Sequence, residues 1–146
     1  RSFCLIKGGA GPADSRTPTG LACDIRATLV TVRAVAGQSI AIDAIVTNSG
    51  TATWLAAGAP LGGVALGTHL FDGASGALLT FDFHVAPLTD PPREIPPGET
   101  IRCRVTLPPL AAGRYRLELD CVASQVTWFA QGGSKPATLP LEVNGS

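Results

Sequence analysis

Between Gly113 and Cys121 the chain alternates with a period of two. Tyr115, Leu117, Leu119 and Cys121 fall on one side of an extended segment, and Arg116, Glu118 and Asp120 on the other. Such a pattern describes a half-buried strand. A polar break at Ser124 and Gln125 separates it from a second β-prone run, Val126 to Ala130, and the two read as a hairpin. The same period recurs upstream. Ile40, Ile42, Ala44 and Val46 oppose Ala41, Asp43 and Thr47, while Leu79, Phe81, Phe83 and Val85 oppose Thr80, Asp82 and His84. Ile101, Cys103, Val105 and Leu107 form a further apolar row within Glu99 to Leu107. Val64 to Asp72 and Leu139 to Val143 add two more strands. Cys23 to Ala34 is rich in β-branched residues but has no clear inner face, as expected of a first strand that switches sheets.

Turn chemistry separates these runs. Gly37, the cluster Asn48, Ser49 and Gly50, the pairs Asp72-Gly73 and Ser75-Gly76, and Pro108-Pro109 each punctuate the chain. Leu55 to Gly63 and the proline-rich Pro87 to Gly98 are loops, because proline cannot donate to a central ladder. About eight short strands with no stretch of helical periodicity predict an all-β fold, an antiparallel immunoglobulin-like β-sandwich over residues 21–146. A jelly roll is the second choice. Residues 1–20 have no sustained period and read as a linker or tether, within which Phe3 to Ile6 can add an edge strand or pack on a neighbouring domain.

The length of 146 residues fits one domain with its own core. Eleven Lys and Arg balance eleven Asp and Glu, without the basic face of a nucleic-acid binder. No apolar run reaches the ~20 residues of a membrane span, and no signal-peptide pattern opens the chain. A chain that starts at Arg1 and contains no Met reads as part of a longer protein. Cys4, Cys23, Cys103 and Cys121 permit three complete pairings and contain no C-x-x-C unit, so zinc is not indicated. Cys103 and Cys121 sit in apolar registers and read as buried free thiols rather than a disulfide, which favours a reducing, cytoplasmic setting.

Catalysis needs convergent groups. Two histidines, His69 and His84, stand without a nucleophile elbow, a phosphate-cradling loop or a metal-ligand spacing, so no catalytic residue, cofactor or metal is assigned. Asp72, Asp82, Asp90 and Asp120 read as solvated exterior or turn carboxylates. Trp54 and Tyr115 suit the core between two sheets, with Leu117, Cys103 and Cys121. Trp128 and Phe129 are adjacent and must face opposite ways, so one of them turns outward. A sugar site asks for a flat ring with polar neighbours. The residues that fit it are Trp128 with Gln131, and His69 beside the polar row of Asp82 and His84.

Asn48 followed by Trp54, Val64 to Gly67 leading to Asp72-Gly73, Pro97-Gly98-Glu99, Gly113-x-Tyr115-x-Leu117, Asp120 and Trp128-Phe129 together resemble a known family. It is the immunoglobulin-like accessory domain attached to bacterial glycosyltransferases of surface-polysaccharide synthesis. A looser similarity runs to the carbohydrate-recognising C-terminal domain of O-antigen ABC-transporter ATPases. The resemblance covers about Ile25 to Val143 and rests on turn and core positions. It implies a non-catalytic module of a larger protein that handles cell-surface polysaccharide, with a bacterial glycan and the parent's catalytic domain as partners. The parent would bring it to the inner face of the membrane. The alternative is an interaction or spacer domain that docks on a catalytic domain or partner subunit, marked by an exposed apolar patch and an unpaired sheet edge.

Overall fold

The computed structural model describes residues 13–28 and 31–145. Their strands are β1 (Cys23–Ala27), β2 (Val32–Val35), β3 (Ile40–Asn48), β4 (Val64–Asp72), β5 (Leu78–Pro87), β6 (Thr100–Leu107), β7 (Gly113–Ala123), β8 (Thr127–Trp128) and β9 (Ala137–Asn144). A short 3-10 helix, Phe129–Gly132, follows β8 directly. The larger sheet runs β2-β9-β7-β4-β5, with β8 also paired to β7, and the smaller runs β1-β3-β6. This is an immunoglobulin-like β-sandwich.

One pairing departs from the expected antiparallel pattern. After Ala27 the N-terminal strand leaves the smaller sheet and re-forms as β2, which lies parallel to β9 with Val32 opposite Leu141. Crossing between layers explains why Cys23 to Ala34 shows no constant inner face in sequence.

β3 and β6 alternate buried and exposed positions almost without interruption, and their register sets Ile42 against Val105 and Val46 against Ile101. Leu66, Leu117, Leu119 and Leu141 close the core from the larger sheet. Trp54 is fully buried and meets Phe129 edge to face, with ring centroids 5.4 Å apart. It lies outside the strands, held by two 2.9 Å backbone hydrogen bonds exchanged with Ile95. Asn48 knits this corner together: its buried side-chain amide donates to Ala52 O at 3.0 Å and Ile95 O at 2.9 Å, and its oxygen accepts from Gly50 N–H. Cys23, Cys103 and Cys121 are buried free thiols, and Leu117 is fully enclosed. Tyr115 sits half-buried at the core's margin, where its hydroxyl donates to Ala111 O at 2.8 Å. That bond resembles the corner tyrosine of immunoglobulin domains, reached without the antibody spacing to a cysteine.

One expectation is corrected here. Residues 13–20, read as part of a tether, belong to the sandwich: Ser15 is fully buried, its hydroxyl donates to Gly62 O and accepts from Leu55 N–H, and Asp14 bridges Thr53. Residues 1–12, including Phe3 to Ile6, lie outside the described residues. The apolar row on β5 does not enter the core, since Leu79, Phe81 and Val85 remain 45–50% exposed and only Phe83 packs against it. β5 is the edge of its sheet, and register shifts opposite Thr68 to Phe71 break its alternation.

Candidate functional site

The outer side of the larger sheet carries an aromatic cluster that begins with a glycine. On β4 the residues turned away from the core are Ala65, Gly67, His69 and Phe71, and the register sets Gly67 opposite Asp120 and His69 opposite Glu118. The Trp128 ring occupies the place a Cβ on Gly67 would need. A glycine inside a strand marks such a close approach. Trp128 reaches this face because the chain turns into the 3-10 helix immediately after it, sending Phe129 into the core and Trp128 back over β4.

His69 fills the centre of the cluster. It is 4% exposed, its ring stacks on Phe81 at 4.1 Å between centroids, and Trp128 closes on it at 4.4 Å. Phe81 and Trp128 meet edge to face at 5.2 Å. The Nδ1 of His69 contacts the Phe81 carbonyl oxygen, which can only accept, so the proton resides on Nδ1. Next along the face, the Arg116 guanidinium lies 4.4 Å from the Phe71 ring centroid.

Asp120 is the buried charge of this region, at 1% exposure. Its Oδ2 accepts the Ala130 N–H at 3.0 Å and so fastens the 3-10 helix to β7, whereas its Oδ1 has no hydrogen-bond partner among the described residues. Burial pushes its carboxyl up to about 6, against the lowering effects of the Ala130 and Cys121 amides and of nearby His69. Beneath the same turn, Ser134 Oγ accepts Cys23 N–H at 3.0 Å and donates to Cys23 O at 2.9 Å. A hydrogen bond with the Cys121 thiol holds Cys23 below the ordinary thiol value, and burial pushes Cys121 well above it.

The structure therefore brings together two of the residues selected from sequence, Trp128 and His69. Gln131 is exposed on the 3-10 helix that follows Trp128. Asp82 is exposed on β5 next to Phe81. His84 pairs with Thr68, whose side is turned to the core, so it does not share the face of His69. His69 therefore does not join Asp82 and His84 in one polar face, because Phe81 and Trp128 enclose the His69 ring. Phe81 and Asp120 were missed as members of the cluster. Gly67 was the available signal, a residue without a side chain in the middle of a strand.

Along β5 the cluster's Phe81 is continued by Leu78, Leu79 and Val85 into an apolar strip at the sheet edge, each of the four 45–50% exposed. Among the described residues no group of three His, Cys, Asp or Glu is placed to hold a metal ion. No helix among them is long and apolar enough to cross a membrane.

No protein-family model matches the chain, and no curated protein matches it. A crystal structure of a beta-glucosidase from Listeria innocua in complex with glucose is similar over 86% of this chain and 16% of that chain, at 11% identity and a TM-score of 0.52. A second structure of that beta-glucosidase gives the same coverage at 10% identity and a TM-score of 0.51. The chain thus spans 16% of the length of these enzymes, and the likeness is one of fold. A CARDB domain from Pyrococcus furiosus, in complex with di-metal ions, is similar over 86% of this chain and 94% of that one, at 14% identity and a TM-score of 0.45.

Proposed function

We propose that this β-sandwich is a non-catalytic interaction domain that docks, through the outer edge of β5, onto another folded domain of the assembly it serves. The observation that carries this reading is the strip of Leu78, Leu79, Phe81 and Val85, four large apolar side chains about half exposed on an edge strand. Side chains of this size leave roughly 300–400 Å² of apolar surface in water, enough to mark a contact site. A stable complex between free proteins buries about 800 Å² on each partner, so the strip alone suits a partner held nearby, on the same polypeptide or in the same assembly. Asp82 is the charged residue of β5. A complementary surface is apolar, with a Lys or Arg placed to meet Asp82.

The test is a pair of substitutions, Leu79→Asp and Val85→Asp. Both sites are half exposed, so melting should change little while assembly with the partner domain is lost. Assembly that survives both changes counts against the reading.

A second reading keeps the module in bacterial surface-polysaccharide handling, in a cytoplasmic parent protein such as a glycosyltransferase, with a glycan as ligand. Its support is the Phe81 ring, 45% exposed and braced from beneath by His69 and Trp128, with exposed Asp82 beside it. One stacking ring and few hydrogen bonds give affinities on the order of millimolar. Titrating surface-polysaccharide fragments against the amide resonances of Phe81, Asp82, Trp128 and Gln131 tests this. Saturable shifts there favour the glycan, and their absence leaves docking as the function.

A further inference from the structure

The smaller sheet carries a feature that neither reading uses. Arg26 on β1, Ile45 on β3 and Arg102 on β6 lie in one register row, so two arginines flank a single isoleucine on the outer face. Neighbouring strands are about 4.8 Å apart, which sets the two arginine Cα atoms about 10 Å from each other on either side of Ile45. In the next row Arg104 stands opposite Asp43. A groove of about 370 Å³ opens here, lined by Thr28, Asp43, Ile45, Arg102 and Arg104 among others. It lies where β1 ends at Ala27, beside Thr28, whose N–H donates to Asp43 O at 3.2 Å.

The charges of this face are unequal. Arg26 is paired with Asp24 at 3.2 Å, and Arg104 meets Asp43 only at 4.0 Å. Arg102 has no ion pair among the described residues. Three guanidinium groups thus face two carboxylates on a chain whose formal net charge is zero. A guanidinium offers a planar fork of N–H donors that matches two oxygens of a carboxylate or phosphate group. The volume is that of a small-ligand site.

We propose that this groove binds an oxyanion, the carboxylate or phosphate group of a small ligand, with Arg102 as its bidentate partner and Arg104 as the second cation, drawn from its long contact with Asp43. The site lies on the opposite sheet from the β5 strip and stands or falls independently of docking.

The test uses inorganic phosphate and citrate, each titrated at an ionic strength held constant with sodium chloride and read from the amides of Ile45, Arg102 and Arg104 together with the arginine Nε–H signals. Saturable shifts at these positions with either probe are expected, and the comparison shows whether tetrahedral or planar oxygens fit better. Arg102→Gln should weaken binding at least fivefold and Arg104→Gln should weaken it less. Arg33→Gln, which removes a partner of Glu142 on the other sheet, should leave it unchanged. Shifts that do not saturate, that chloride reproduces, or that persist unchanged in Arg102→Gln would overturn the proposal. All these arginines are exposed, so loss of folding does not confuse the outcome.

Discussion

Replacing Asp120 with Asn removes a buried ionisable group while keeping an oxygen that can accept the Ala130 N–H. The ordinary value for this carboxyl is 3.8, and burial raises it to about 6 in the folded chain. Below 3.8 it is protonated whether the chain is folded or not, so it makes no difference to stability. Between 3.8 and 6 the unfolded chain releases the proton while the folded chain keeps it, and stability falls as pH rises. Above 6 both states are ionised and the loss is complete. The gap corresponds to about 3 kcal/mol, a large share of a typical domain's stability. Urea unfolding of wild type and Asp120→Asn at pH 4 and pH 7 isolates the effect, because contributions common to both proteins cancel in the difference. Because the unfolded carboxyl is already more than half ionised at pH 4, the variant should gain on wild type by about 2 kcal/mol between pH 4 and pH 7. A difference that stays level within about 0.5 kcal/mol, or moves the other way, would refute the reasoning and mean that burial does not raise the Asp120 carboxyl in the folded chain.

Three further outcomes follow from the packing. Trp54→Ala should cost about 3–5 kcal/mol, since its ring is fully buried against Phe129, and a variant that melts with wild type would show the core misplaced. Gly67→Val should drive Trp128 off the sheet at a cost of about 1–3 kcal/mol, seen as loss of the Trp128 contribution to the His69 ring-current shifts while that of Phe81 remains; unchanged His69 resonances would contradict the close approach. Cys23, Cys103 and Cys121 should react with a thiol reagent only after denaturation, and a mass showing any two of them joined in the native protein would overturn their description as free thiols.

β3 and β6 were readable from sequence because both have one face on the core and one in water, so period-two alternation maps directly onto burial. The turn at Asn48, Ser49 and Gly50 was legible for a related reason, since small polar side chains there satisfy backbone groups locally. β5 shows where such reading fails. Its apolar row identifies residues that share a side, but periodicity carries no information on whether another layer covers that side, and the register shifts break the alternation itself. Trp128 and Phe129 were legible as a pair that must split. That Phe129 goes inward depends on the 3-10 helix, which no local pattern announces. Asp120 looked like solvated exterior because its strand neighbours Arg116 and Glu118 are charged. Its burial comes from Trp128 and Ala130, which fold back over it, and from Gly67, which leaves them room.

The docking surface is tested most directly by placing a photo-activatable amino acid at Val85, on β5, and at Thr106, exposed on the smaller sheet, and irradiating the protein in the cells that make it. The account predicts one discrete adduct with another protein domain from Val85 and none from Thr106. Equal labelling from both positions, or an adduct from Val85 only with a second copy of this chain, would contradict it.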